Sequence, residues 1–90
     1  DIFYVRIYKS YAPSETDEIV EVRVNLAHDL SLDDDGGYFS RKVVVGPHTF
    51  KKAELLLYYD KGRNLRDTEV VNGELVERAD YETYRASIQD

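Results

Sequence analysis

Val20, Val22, Val24 and Leu26 fall at every second position and alternate with Glu21, Arg23 and Asn25. Successive side chains of a strand point to opposite faces, so residues 20–26 are expected to form a β-strand with one buried and one wet face. Residues 2–11 repeat the pattern with β-branched and aromatic types. Phe3, Val5 and Ile7 point one way, and Tyr4, Arg6 and Tyr8 the other. Between them, residues 12–17 are polar and turn-like, and Pro13 cannot donate to a sheet ladder.

β character resumes over residues 38–45, where Val43, Val44 and Val45 run into Gly46 and Pro47. Residues 50–59 admit two readings. Thr49 could cap a helix, and the segment from Lys51 to Leu57 has good helix propensity. As a strand, the same segment places Ala53, Leu55, Leu57 and Tyr59 on one face and Leu56 and Tyr58 on the other. The apolar block is short and ends in two tyrosines before Asp60-Lys61-Gly62, which favours the strand. Asn72-Gly73, flanked by Val70, Val71, Leu75 and Val76, predicts a type I′ hairpin. Residues 80–88 predict a short helix capped by Asp80, with Tyr81, Tyr84 and Ile88 on one stripe. A helix that short holds only by docking on the sheet.

About six strands with no intervening helix make an all-β, antiparallel fold, since parallel strands need long crossovers. The reading is a small antiparallel β-sandwich with a short C-terminal helix. The alternative is a small β-barrel with one helix, which gains ground if residues 50–59 are helical. The 90 residues make a single β domain, 1–90, large enough to hide roughly 60–65% of the unfolded surface. The chain starts at Asp1 and contains no methionine, so a module or fragment of a longer chain is expected.

Charge narrows the partners. Asp and Glu outnumber Lys and Arg 18 to 12, giving a net charge of −6. Nucleic-acid binding rests on clustered cations, so a polyanion or an anionic membrane surface is disfavoured, and a basic protein surface is allowed. No apolar run nears the roughly 20 residues of a membrane span. The chain has no cysteine, which removes disulfides, thiolate zinc sites and a thiol nucleophile but leaves the compartment open.

Candidate chemistry concentrates in residues 29–37, an acidic loop closed by Gly36 and Gly37. The spacing Ser31-x-Asp33-x-Asp35-Gly36 matches the first half of an EF-hand calcium loop. Serine stands at the first position, and Lys42 stands where the bidentate glutamate should be. The flanks also read as strands, so a true EF-hand is excluded. A looser Ca2+ site would draw on Asp29, Ser31, Asp33 and Asp35. The plain alternative is a solvated loop whose carboxylates and glycines serve turn conformation. His28 and His48 lie beside separate strands with no convergent spacing. No serine sits in a Gly-x-Ser-x-Gly elbow, and Gly36-Gly37 follows three carboxylates that repel phosphate. No enzyme activity is therefore expected.

Eight tyrosines set a second theme. Tyr and Arg combine large contact area with a polar tip and are enriched at binding interfaces. Tyr4, Arg6 and Tyr8, with Tyr58, form the expected binding face, against the plainer role of tyrosines as cross-strand stabilisers. Lys61, Arg63 and Arg66 make a local basic turn that can meet the neighbouring Asp60 and Asp67.

The functional expectation is a non-enzymatic binding or assembly module without a cofactor, acting on a protein partner or on itself through the Tyr-rich face and loop tips. One alternative is a calcium-stabilised or carbohydrate-binding sandwich. Another is a small acidic inhibitor or immunity-type protein that docks on a basic partner.

Overall fold

The computed structural model describes residues 1–10, 14 and 16–88. Seven strands and one helix follow in order: β1 (Ile2–Ile7), β2 (Glu18–Arg23), β3 (Ser31–Leu32), β4 (Tyr38–Val45), β5 (Lys52–Tyr59), β6 (Leu65–Val71), β7 (Gly73–Val76) and α1 (Arg78–Ile88). They build two antiparallel sheets, one ordered β2-β1-β7 and the other β3-β4-β5-β6. The sheets face each other and do not close into a barrel, which settles the architecture as a sandwich with one C-terminal helix.

The alternation seen in the sequence sorts the side chains as expected. Val5 and Ile7 of β1, Val22 of β2, Val24, Val44 of β4, and Ala53, Leu55, Leu57 and Tyr59 of β5 form one buried cluster. Residues 52–59 are therefore a strand. Their buried and half-buried positions alternate strictly from Ala53 to Tyr59, and burying a Leu or Val side chain is worth about 1.5–3 kcal/mol.

Two buried carboxylates fix the start of β2. Asp17 accepts hydrogen bonds from the backbone amides of Lys9 at 3.1 Å and Ser14 at 2.8 Å, pinning the β1–β2 connection. Part of the predicted 12–17 turn, residues 12, 13 and 15, lies outside the described residues. Glu18 accepts from the amides of Thr49 at 2.6 Å and His48 at 3.2 Å, which lie in the β4–β5 connection of the opposite sheet. Glu18 thus ties the two sheets together at one end.

The predicted hairpin at Asn72-Gly73 does not form. β6 belongs to the four-stranded sheet, and β7 leaves it to pair with β1. A type I′ turn needs two positive-φ residues, but only Asn72 (φ 61) is left-handed here. Asn72 instead swings the chain from one sheet to the other. Its side-chain amide donates to the Lys52 carbonyl at 2.7 Å, and its own carbonyl accepts from the Tyr8 amide at 3.1 Å. Gly73 lies flush on β1, where a Cβ would sit 2.4 Å from the Arg6 carbonyl oxygen.

The acidic segment also differs from a hairpin loop between β2 and β4. Those strands lie in different sheets, so residues 24–30 cross the sandwich, and β3 then pairs with Tyr38 and Phe39 of β4. The helix begins earlier than Asp80. The carbonyl of Glu77 accepts the first helical bonds, from Asp80 and Tyr81. Asp80 sits three residues into the helix and returns its carboxylate to the Glu77 amide at 3.0 Å, one half of a capping box.

Candidate functional site

The structure separates the four residues of the predicted binding face. Tyr4, Arg6 and Tyr8 do share the outer side of the three-stranded sheet, but α1 lies across it. The Tyr4 and Tyr81 rings stack with centroids 5.0 Å apart and planes tilted by 31°. Arg6 Nη1 donates to Glu74 Oε1 at 2.8 Å, and the Tyr8 hydroxyl donates to Glu74 Oε2 at 3.2 Å. Burial, followed by the Glu74 hydrogen bond and charge, raises the Tyr8 hydroxyl above the ordinary tyrosine range. Every polar tip of this face is engaged within the molecule or sits beside the helix.

Tyr58 lies on the opposite side of the sandwich. Its neighbour Tyr59 points into the core, so Tyr58 points out from the four-stranded sheet, and no helix covers that side. The strand register places its companions. Tyr58 stands between Phe39 of β4 and Asp67 of β6, Leu56 between Arg41 and Glu69, and Glu54 between Val43 and Val71. Val43 (56% exposed), Val71 (46%) and Val45 (42%) extend the apolar stripe to the far end. The Arg41 guanidinium pairs with Glu54 across the stripe.

At the Tyr58 end, an open cleft of about 440 Å³ is lined by Asp33, Asp35, Tyr58, Tyr59, Arg66 and Asp67. The tip of the acidic segment and the tyrosine face therefore meet, a juxtaposition invisible in the sequence. A bulge makes it possible. Tyr58 pairs with Asp67 while Tyr59 pairs with Leu65, so Arg66 is the extra residue and bends β6. Arg66 Nη1 reaches Asp35 Oδ2 at 3.8 Å. Asp33 and Asp67 each accept one neighbouring amide, from Asp34 and Thr68 respectively, both at 2.8 Å. Neither Asp33, Asp67 nor Glu69 has a cationic partner among the described residues.

The candidate calcium ligands divide three ways. Asp29 accepts from the Asn25 amide at 2.7 Å and pairs with Lys42 Nζ at 3.0 Å. Those two interactions, the amide first, hold its carboxyl below the usual range. Lys42, the residue that spoils the EF-hand pattern, thus neutralises the first acid of the segment. Ser31 is exposed on β3. Asp33 and Asp35 come together in the turn, where Gly36 (φ 87) supplies the left-handed step and Asp35 accepts from the Gly37 amide at 2.9 Å. Among the described residues, no group of three or more His, Asp or Glu is arranged to hold a metal ion.

His28 and His48 are both exposed in turns and do not converge. In the basic turn, Asp60 accepts from the amides of Gly62 and Asn64, and the Arg63 guanidinium lies 5.1 Å over the Tyr38 ring. Arg66 reaches Asp35 and not the adjacent Asp67. No helix among the described residues is long and apolar enough to cross a membrane. Compared with protein-family models, with curated proteins and with solved structures, the chain matches none.

From the sequence, Phe39 and Glu69 were not singled out, Leu56 was read only as sharing the outer face with Tyr58, and Asp67 only as a neighbour of the basic turn. A signal existed in β6, where Arg66, Thr68 and Val70 alternate with Asp67, Glu69 and Val71. The charged turn residues before it and the Asn-Gly after it masked that alternation.

Proposed function

We propose that this chain is a binding module that engages a basic protein partner through the uncovered face of its four-stranded sheet. The observation that carries this reading is the asymmetry of the sandwich: α1 lies over one outer face, and the other presents Phe39, Leu56 and Tyr58 beside unpaired Asp67 and Glu69. An aromatic and aliphatic centre with a polar rim is the usual anatomy of a protein interface. Asp33, Asp35, Asp67 and Glu69 against the single Arg66 make the Tyr58 end of the rim net acidic, which favours a Lys- or Arg-bearing surface and speeds encounter with it. Tyr58 would be the anchor, since it stands on the stripe and also lines the acidic cleft.

The test begins with a partner isolated on the folded domain from its source. Tyr58→Ala should weaken that complex at least about thirtyfold, the scale of an interface hot spot. Asp67→Asn with Glu69→Gln should slow association and flatten its salt dependence. Binding that ignores both changes, or that shows no salt dependence, would contradict the proposal.

A further inference from the structure

Residues 73–88, which comprise β7 and α1, stand apart from the rest of the sandwich. β7 is an edge strand on β1, and α1 lies against β1 and β2. Leu75 packs against the core, but no residue of the segment is fully buried, which places it toward the low end of local stability. Its covalent link to the four-stranded sheet is the single residue Asn72, held at φ 61. Asparagine tolerates the left-handed region better than most residues, yet an extended backbone is still easier for it.

What the segment covers is specific to it. Glu74 receives both the Arg6 guanidinium and the Tyr8 hydroxyl, Tyr81 stacks on Tyr4, and Gly73 leaves no space above the Arg6 carbonyl. If the segment lifts, β1 shows a bare edge beneath a face fitted to Gly73, Glu74 and Tyr81. The surface most complementary to that face is the same segment of a second copy.

We propose that β7–α1 is an exchangeable segment: it docks on β1 and β2 of its own chain in the monomer, and on those of a second copy in a reciprocal dimer. Straightening Asn72 carries β7 away from its own β1 and relieves the left-handed backbone at both hinges. Each β1–β7 bond, the Arg6–Glu74 pair and the Tyr4–Tyr81 stack is remade between chains. Short, conformationally constrained hinges favour such exchange, and it is a low-cost route to a two-fold dimer. The surface used is distinct from the open face of the four-stranded sheet, so the two proposals stand or fall separately.

The absence of cysteine makes the test direct. Arg6 and Glu74 are register partners across β1 and β7. Chains carrying only Arg6→Cys and chains carrying only Glu74→Cys are unfolded, mixed at high concentration, refolded and oxidised. Exchange predicts a disulfide joining one chain of each kind, identified by peptide mass, in clear excess over the statistical 1:2:1 mixture that random oxidation of two thiols gives. A statistical mixture, or one with no such heterodimer, would overturn the proposal. A second measurement needs no thiol. Native mass analysis compares Asn72→Ala with Asn72→Gly, which both lose the side-chain bond to Lys52 but differ in tolerance of positive φ. Alanine should favour the dimer over glycine by about a hundredfold in association constant, about tenfold at each of two hinges. Equal, purely monomeric behaviour of both variants would contradict it.

Discussion

The two sheets share one core but treat their outer faces in opposite ways. On the three-stranded sheet, Tyr4 is stacked by Tyr81 and Arg6 is paired with Glu74, at 5.0 Å and 2.8 Å respectively. On the four-stranded sheet, Tyr58 and Leu56 have strand neighbours, and no helix among the described residues lies over them. The same pattern of a tyrosine beside a charged residue on a strand thus ends on a covered face in one sheet and on an open face in the other. The difference lies in which face the chain's own C-terminus returns to. That choice is fixed by β7, because Asn72 diverts it to the edge of β1 and α1 follows.

Substitutions can sharpen this contrast, beginning with the shared interior. Leu55→Ala should cost about 3 kcal/mol in urea unfolding, as for a fully buried leucine. Leu56→Ala, one residue away on the bare face, should cost less than about 1 kcal/mol. Equal losses would mean that the open face is covered.

The link between the sheets comes next. Glu18→Ala leaves two part-buried amides, those of His48 and Thr49, without their acceptor and should cost about 1–2 kcal/mol. The acid dependence follows from the same contacts. Burial works to raise the Glu18 carboxyl, but the Thr49 side chain and the amides of His48 and Thr49 outweigh it and hold the group below its ordinary 4.5. A depressed folded-state value means that the stabilisation is complete above pH about 4.5 and is lost as pH falls through the lower folded value. Urea midpoints should therefore fall below that pH, and Glu18→Gln should flatten part of the acid limb.

Smaller effects separate the outer faces. Tyr81→Ala removes the stack on Tyr4 and should cost about 1 kcal/mol, read best as faster amide exchange in α1 and β7. Arg6→Ala should cost under about 1 kcal/mol, because its Glu74 partner is partly exposed. Smallest of all is calcium. A site filled at 100 times its dissociation constant would add about 2.7 kcal/mol. With Asp29 held by Lys42 and only Asp33 and Asp35 together, millimolar calcium should leave the thermal midpoint unmoved.

Much of the fold was legible because it rests on alternation. Val5, Ile7, Val22, Val24, Leu55 and Leu57 all reach the core from positions where period two puts them. Asn72-Gly73 misled because turn propensity is local, whereas the destination of β7 depends on a bare β1 edge far away in sequence. The helix stripe was legible at Tyr81 and Tyr84, which are half-buried, and at Ile88, which is 43% exposed but borders the same cleft beside Ile19 and Val20 of β2. The candidate site was legible only in pieces. Tyr58 and the acids at 33 and 35 were visible, but their meeting depends on the Arg66 bulge and on β3 folding back along β4.

Site-directed blocking tests most directly which face does the work. Because the chain lacks cysteine, Glu69→Cys on the open sheet and Ala86→Cys on the exposed part of α1 can each carry one bulky maleimide label. Complex formation with the isolated partner is then measured for both. A label at 69 should abolish the complex while a label at 86 leaves it intact. Loss of binding from the helix label alone would contradict the account and return the working surface to the covered sheet.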